Sequence, residues 1–223
     1  MNTFTPGFAA ADIVFVGGGV GGCIAAGSFL GLGARVTVLD ADPQRLRVLD
    51  DRLGSGASLM LLTPSNLRKV CAQADVLVTC VLIPGERTPK LVTRDMVRSM
   101  KPRSVIMDIS IDQGGCVETS RPTTHQDPTY VDENVIHYCV PNMSSGIART
   151  ASHAMTYAVL PYLSEIARDG VAVAVSKDPA LAKGVVLAGG AVVSAAVAGA
   201  FGVRQRTLAQ ALGLACAPKV GDR

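Results

Sequence analysis

The order of residues 13–40 leaves few folds open. An apolar run, IVFV, is followed by the loop GGGVGG, a small-residue stretch, CIAAGSFLGLG, and a second apolar run, RVTVLD, that closes on an acid. Gly17, Gly19 and Gly22 take the three places of G-x-G-x-x-G, with Val20 and Gly21 between the last two. In that pattern the chain must turn tightly, let its backbone approach a pyrophosphate and pack the helix against the strand. The helix N-terminus offers free N–H groups and partial positive charge to the phosphates. Asp40 follows Gly17 by 23 residues, where a carboxylate at the end of a second strand accepts ribose hydroxyls and repels a 2′-phosphate; the expected cofactor is NAD rather than NADP. This clasp begins so close to Met1 that no folded domain is expected ahead of it.

The alternation continues. DPQRLRVLDDRL has a helical pattern with Asp42 and Pro43 at its start, SLMLL is a short strand, and SNLRKVCAQA is an amphipathic helix. DVLVTCVL reads as a strand buried on both faces, TRDMVRSM as a helix capped by Thr93, and SVIMDIS and NVIHYCV as two further strands. Strands alternating with helices predict an α/β fold: a Rossmann-like, doubly wound, mostly parallel sheet that binds its ligand outside the carboxyl ends of the strands. From about Thr150 the character changes. SHAMTYAVLPYLSEIARDG is a long helical stretch, Asp178 to Ala182 starts another helix, and no comparable strand signal follows. The expected division is a nucleotide-binding domain over 1–149 and a helical segment over 150–223.

Net charge is only +3, with Arg and Lys spread along the chain, which argues against a nucleic-acid surface. Six cysteines without C-x-x-C spacing, together with the absence of a secretory signal in MNTFTPGF, lead us to expect reduced thiols and a cytoplasmic protein. Between Lys183 and Arg204 lie 20 residues without formal charge, long enough for a bilayer core. Most are Gly, Ala or Ser and no Trp or Tyr flanks them, so the expectation is a buried helix broken near Gly189-Gly190, not a membrane span.

Three strands deliver polar, glycine-bearing loops to one edge of the sheet: IPGERTPKLV, IDQGGCVETSRPTTH and PNMSSGIART. Asp112, followed by Gln-Gly-Gly, fits a turn residue and equally a carboxylate beside a nicotinamide that positions substrate or relays a proton.

The segments VLIPGERTPKLV, MKPRSVIMDISIDQGGCVETSRPTTH, HYCVPNM and DPALAKG resemble the nucleotide-binding half of alanine dehydrogenases and of the related NAD(P) transhydrogenase domain, from about Ala11 to about Gly202. The resemblance implies a Rossmann domain set within a second, substrate-holding domain. It places Val20 and Gly21 along the pyrophosphate, Asp40 at the adenosine ribose and Arg45 at the same end. Val81, Leu82, Ile109, Ser110 and Ile111 would flank the cofactor through their backbone, and Arg121 would be a basic contact. Val140, Asn142 and Met143 would border the nicotinamide, and Asp112 would be catalytic. Glu165 matches a metal-liganding glutamate of some members and Asp169 a second ligand, although an exposed carboxylate pair is the better default, so no metal is assigned.

Departures from the family pattern matter as well. Leu62 replaces a polar contact on the adenine side, with Thr63 adjacent as a substitute; Pro141 replaces a small residue, and SSGIA a proline-containing turn. The half that supplies the substrate-binding arginine and lysine and the acid–base histidine has no counterpart in the sequence. His125, His137 and His153 are expected to be structural. Two functions follow from the resemblance. One is an NAD-dependent oxidoreductase passing hydride between nicotinamide and an amino acid or its keto or imino form. The other is a non-catalytic NAD(H)-binding module, or a partner subunit of a split dehydrogenase or transhydrogenase. Expected partners are NAD(H), a small amino or keto acid, and either further copies of the chain or a separate substrate-domain protein.

Overall fold

The structure, a computed structural model, describes residues 9–213. It comprises two compact units that divide between Met143 and Ser144.

The first unit is a seven-stranded sheet. Its strands are β1 (Asp12–Val16), β2 (Arg35–Asp40), β3 (Ala57–Leu61), β4 (Val76–Thr79), β5 (Val105–Asp108), β6 (Thr129–Asp132) and β7 (Val135–Tyr138). They lie in the order β3-β2-β1-β4-β5-β7-β6. All pairings are parallel except β6 with β7. The period of 2 along a strand explains the two cores. Ile13 and Phe15 of β1 join Val36, Val38 and Val78 on one face, while Val14 and Val16 join Leu39, Leu77 and Ile106 on the other.

Helices cover both faces: α1 (Val20–Gly31), α2 (Pro43–Leu53), α3 (Pro64–Gln73) and α4 (Arg94–Arg98). Ala26 of α1 and Leu49 of α2 pack with the Phe15 face, and Leu67 of α3 and Met96 of α4 with the other. The starts follow local chemistry. The Asp42 carboxylate accepts from the Gln44 N–H at 2.8 Å, Thr63 Oγ1 from Asn66 N–H at 3.2 Å and Thr93 Oγ1 from Met96 N–H at 3.3 Å, and Pro43 and Pro64 occupy first-turn positions where no donor is needed.

Each strand expected from the sequence is present, but β4 and β5 stop sooner than their apolar runs. Cys80–Leu82 leaves the sheet, and Ile109–Gln113 forms a 3-10 turn. The antiparallel edge strand β6 was not expected. Its signal is weak because TYVD is bounded by a two-residue turn, Glu133-Asn134, with φ of 50° and 62°, without the glycine that usually marks such a hairpin.

The second unit begins with the 22-residue α5 (Ala148–Asp169), which keeps Pro161 in its interior, and continues with α6 (Val171–Lys177) and α7 (Pro179–Gly184). The expected buried helix over 184–203 is not formed. Leu187–Ala188 (β8) and Ala191–Val192 (β9) pair as a hairpin, and α8 (Ala195–Phe201) and α9 (Leu208–Leu212) follow. Gly189 and Gly190 both take positive φ, 52° and 73°, so the pair expected to break a helix instead makes a tight hairpin turn. Within 184–203 only Ala198 is buried. Among the described residues, no helix is long and apolar enough to cross a membrane.

Candidate functional site

The sheet order reverses between β1 and β4: β2 and β3 lie to one side of β1, β5 to the far side of β4. Crevices form at such a point because the loops leaving the two strands diverge. Two adjoining clefts of about 450 Å³ and about 390 Å³ lie there, sharing Gly19, Val20, Cys80, Val81 and Leu82. A larger hollow, about 530 Å³ along α3 at Pro64, Ser65 and Arg68, has no strand-end loop in its lining. The crevice is therefore the better candidate.

At the floor, Gly17 sits at φ 103°, and its N–H donates to the Leu39 carbonyl at 2.8 Å. A Cβ at Gly17 would come within 2.8 Å of the Cys80 carbonyl oxygen, and one at Gly22 would collide with the Gly17 carbonyl oxygen. These two glycines thus serve backbone packing. Gly19 and Gly21 differ: nothing lies within 4 Å of an added Cβ, so their open side is where a ligand can lie. Helix α1 starts beside them without a side-chain cap, which leaves its first N–H groups available to an anion.

Asp40 closes the larger cleft. Its Oδ2 accepts from Gly18 N–H at 2.7 Å and its Oδ1 from Asp42 N–H at 2.9 Å, so the carboxylate ties the glycine loop to the start of α2. Each oxygen retains capacity to accept a hydroxyl. Arg45 and Leu62 line the same cleft. Thr63, the expected polar substitute for Leu62, is instead committed to capping α3 and is not in the lining. Gly18 was overlooked at the sequence level although it stands inside GGGVGG: a Cβ there would run into the Leu49 side chain.

The smaller cleft gathers Val81, Leu82, Ile109, Ser110, Asp112 and Gln113. Ser110 Oγ donates to the Val81 carbonyl and accepts from the Val81 N–H, both at 3.0 Å, and so fixes one wall against the other. Ile111 is buried and lines neither cleft. Asp112 Oδ1 accepts from the Asn142 N–H at 2.8 Å, with Asn142 in the left-handed region at φ 52°. Val140 is buried, and neither it nor Asn142 or Met143 lines either cleft. Among the described residues, no Arg or Lys lines the Asp112 cleft.

Arg121 is not brought to the crevice. Its guanidinium stacks 4.0 Å over the Tyr130 ring and its N–H donates to the Tyr130 hydroxyl at 2.9 Å. The edge strand that the sequence reading missed thus takes up this residue. His137 is wholly buried between Thr119 Oγ1 at 2.7 Å and the Val135 carbonyl at 3.0 Å, and burial pulls its pKa down, so it is a neutral structural group. Asp169 receives Lys177 Nζ at 2.7 Å and Arg168 Nε at 2.9 Å, hydrogen bonds that hold its carboxyl well below the usual range. Among the described residues, no group of side chains is arranged to hold a metal ion. Burial pushes the Cys71, Cys80 and Cys116 thiols up to about 12, so these cysteines are not poised as nucleophiles.

Residues 2–195 match the family model described as alanine dehydrogenase/PNT, C-terminal domain. The chain is 45% identical over 208 residues to an alanine dehydrogenase of Halomonas elongata, covering 93% of this chain and 56% of that protein. It is similar in structure to an L-alanine dehydrogenase (TM-score 0.80, 40% identity, 90% of this chain and 55% of that one). It is similar also to a transhydrogenase from Sinorhizobium meliloti (TM-score 0.61, 30% identity, 70% and 44%). The chain spans about half the length of the alanine dehydrogenases it matches.

Proposed function

The chain belongs to the alanine dehydrogenase/PNT C-terminal domain family and carries its NAD-binding domain, and on that premise we propose that it serves hydride transfer between NAD(H) and an amino acid or its keto or imino form. The observation that carries this reading is a single crevice with an acid at each end, Asp40 and Asp112, joined by the glycine loop and Cys80–Leu82.

The residues present fit the cofactor. Gly19 and Gly21 leave the start of α1 open to phosphate oxygens, Asp40 accepts ribose hydroxyls, and Arg45 stands beside it. When bound, the nicotinamide supplies the hydride acceptor or donor. The apolar side chains of Val20, Val81, Leu82 and Ile109 line the Asp112 side, and a nicotinamide seated against them would exclude water there. Asp112 faces the same cleft and holds or moves a proton at the substrate nitrogen or oxygen, with one oxygen oriented by the Asn142 amide.

A second reading has its own support. Among the described residues the cleft beside Asp112 has no cation to hold a substrate carboxylate, and the chain spans about half of its dehydrogenase relatives. In that case the chain is the NAD(H)-binding part of a split enzyme, or a binding module, and the carboxylate-holding groups come from another polypeptide or another copy. Titration with NADH, followed by its fluorescence, tests the shared premise. The parent binds, and Asp40→Ala weakens binding at least about tenfold, since a hydrogen-bonded charged group is lost. Equal affinity in the two proteins sinks the cofactor assignment. NADH oxidation with pyruvate and ammonium then separates an active enzyme from a binding module.

A further inference from the structure

Asp108 and Lys90 do not line the crevice, yet together they grip the loop that follows Asp112. Asp108 ends β5 with no exposed surface. Its Oδ1 accepts from Thr79 Oγ1 at 2.6 Å, and its Oδ2 accepts from the N–H groups of Cys116 at 2.9 Å and Val117 at 3.3 Å. From the loop after β4, Lys90 Nζ donates to the carbonyls of Gly114 at 2.8 Å and Val117 at 2.9 Å. The carboxylate takes the loop's N–H groups and the ammonium takes its C=O groups.

Gly115 lies between them at φ 77°. A Cβ there would come within 2.9 Å of Asp108 Oδ2 and 3.4 Å of Lys90 Nζ. Opposite charges flank one glycine, and no larger residue fits the gap. The Gly115 N–H also returns to the Ser110 carbonyl at 3.0 Å, which closes the loop on itself around Asp112. A buried carboxylate costs several kcal/mol to desolvate unless its lone pairs are filled. Here three donors fill them, and all three belong to the strand ends and loop that frame Asp112.

We propose that Asp108 and Lys90 are a pair of positioning residues that brace Gly114–Val117 and thereby hold Asp112 at its place in the cleft. That the brace orients Asp112 toward the nicotinamide rests on the proposed function; that it orders the loop does not. Asparagine at 108 removes the charge that strengthens all three bonds. Its oxygen becomes a neutral acceptor for the Cys116 and Val117 N–H groups, and its amide faces Thr79 Oγ1, which must turn from donor to acceptor. Methionine at 90 keeps the stem of the lysine and removes both bonds to the loop.

The test uses the full chain as parent, Asp108→Asn and Lys90→Met, with two readouts. Amide hydrogen exchange is followed by mass spectrometry in peptides covering 109–117 and 14–22. Affinity is measured for NADH and for ADP-ribose, which lacks the nicotinamide. Both variants should raise exchange over 109–117 about tenfold and leave 14–22 unchanged, because opening of the loop is local. Both should weaken NADH about tenfold while ADP-ribose stays within about twofold. Unchanged exchange over 109–117 overturns the brace. Raised exchange with NADH and ADP-ribose affected equally, or not at all, overturns the orientation toward the nicotinamide. If the parent binds neither nucleotide, the cofactor reading falls and the exchange result alone decides the brace. Should Asp108→Asn fail to fold, Lys90→Met, which alters an exposed residue, carries both readouts.

Discussion

A methyl group at Gly22 would run into the Gly17 carbonyl oxygen, and α1 cannot retreat because Ala26, one turn on, is buried against the sheet. Gly22→Ala should therefore cost about 2 kcal/mol or more of folding stability, measured by urea unfolding. The same change at Gly19, with open space around it, should leave the midpoint nearly unmoved. Asp112 sits at the other end of the crevice. Asp112→Asn keeps an oxygen for the Asn142 N–H but loses the proton-accepting charge. If the chain turns over, this variant should slow it at least about a hundredfold while NADH affinity holds; equal turnover removes Asp112 from the mechanism. Gly17 and Gly22 were legible because each answers a backbone demand. Gly18 was not, since its reason is the Leu49 side chain, which arrives from α2, 31 residues later. The stacking of Arg121 on Tyr130 was not legible for a similar reason: Tyr130 stands on a strand without a strong sequence signature.

At the scale of elements, the β6–β7 hairpin ties several charges together. Arg98 and Arg94 reach Glu133 at 3.0 Å and 2.8 Å, and their hydrogen bonds hold its carboxyl down to about 2. Its contribution is present in full above the ordinary carboxylate value of 4.5 and is lost progressively as pH falls from there toward about 2. His137 acts at milder pH. Burial pulls its pKa below 6.5, so the unfolded chain takes up a proton that the native state refuses. Stability should thus be full above about pH 6.5 and decline as pH falls from there toward the folded value. Urea midpoints at pH 7 and pH 5.5 should show this slope, and His137→Gln should flatten it. The hairpin β8–β9 carries the lesson about legibility. A run of Gly, Ala and Val has no periodicity to separate strand from helix, and the choice turned on Gly189 and Gly190, whose φ values no sequence pattern displays.

At the scale of the whole molecule, the two units differ in how they bury apolar surface. The sheet unit has a core on each face, and alternating apolar residues made that arrangement readable. Among the described residues of the second unit the buried hydrophobic ones are Ala174, Val175 and Ala198, while Met155, Tyr157, Leu160 and Leu163 of α5 are all more than half exposed. Exchanging Tyr157 and Leu160 for serine should accordingly change unfolding free energy by no more than about 0.5 kcal/mol each and lower the binding of an apolar dye. A loss of several kcal/mol would mean that another surface covers α5 in solution. The strand and helix order, the glycine loop and both acids were visible in the sequence. The brace behind Asp112 was not, because it joins residues from β4, β5 and two loops. Asp40 has a last implication, for divergence among relatives. The carboxylate proposed to select the nucleotide also ties Gly18 to Asp42, so a descendant that exchanges it to admit a phosphorylated ribose must rebuild the loop in the same step. On the proposed reading, folding holds the cofactor preference of this chain in place as well as selection for the ligand does.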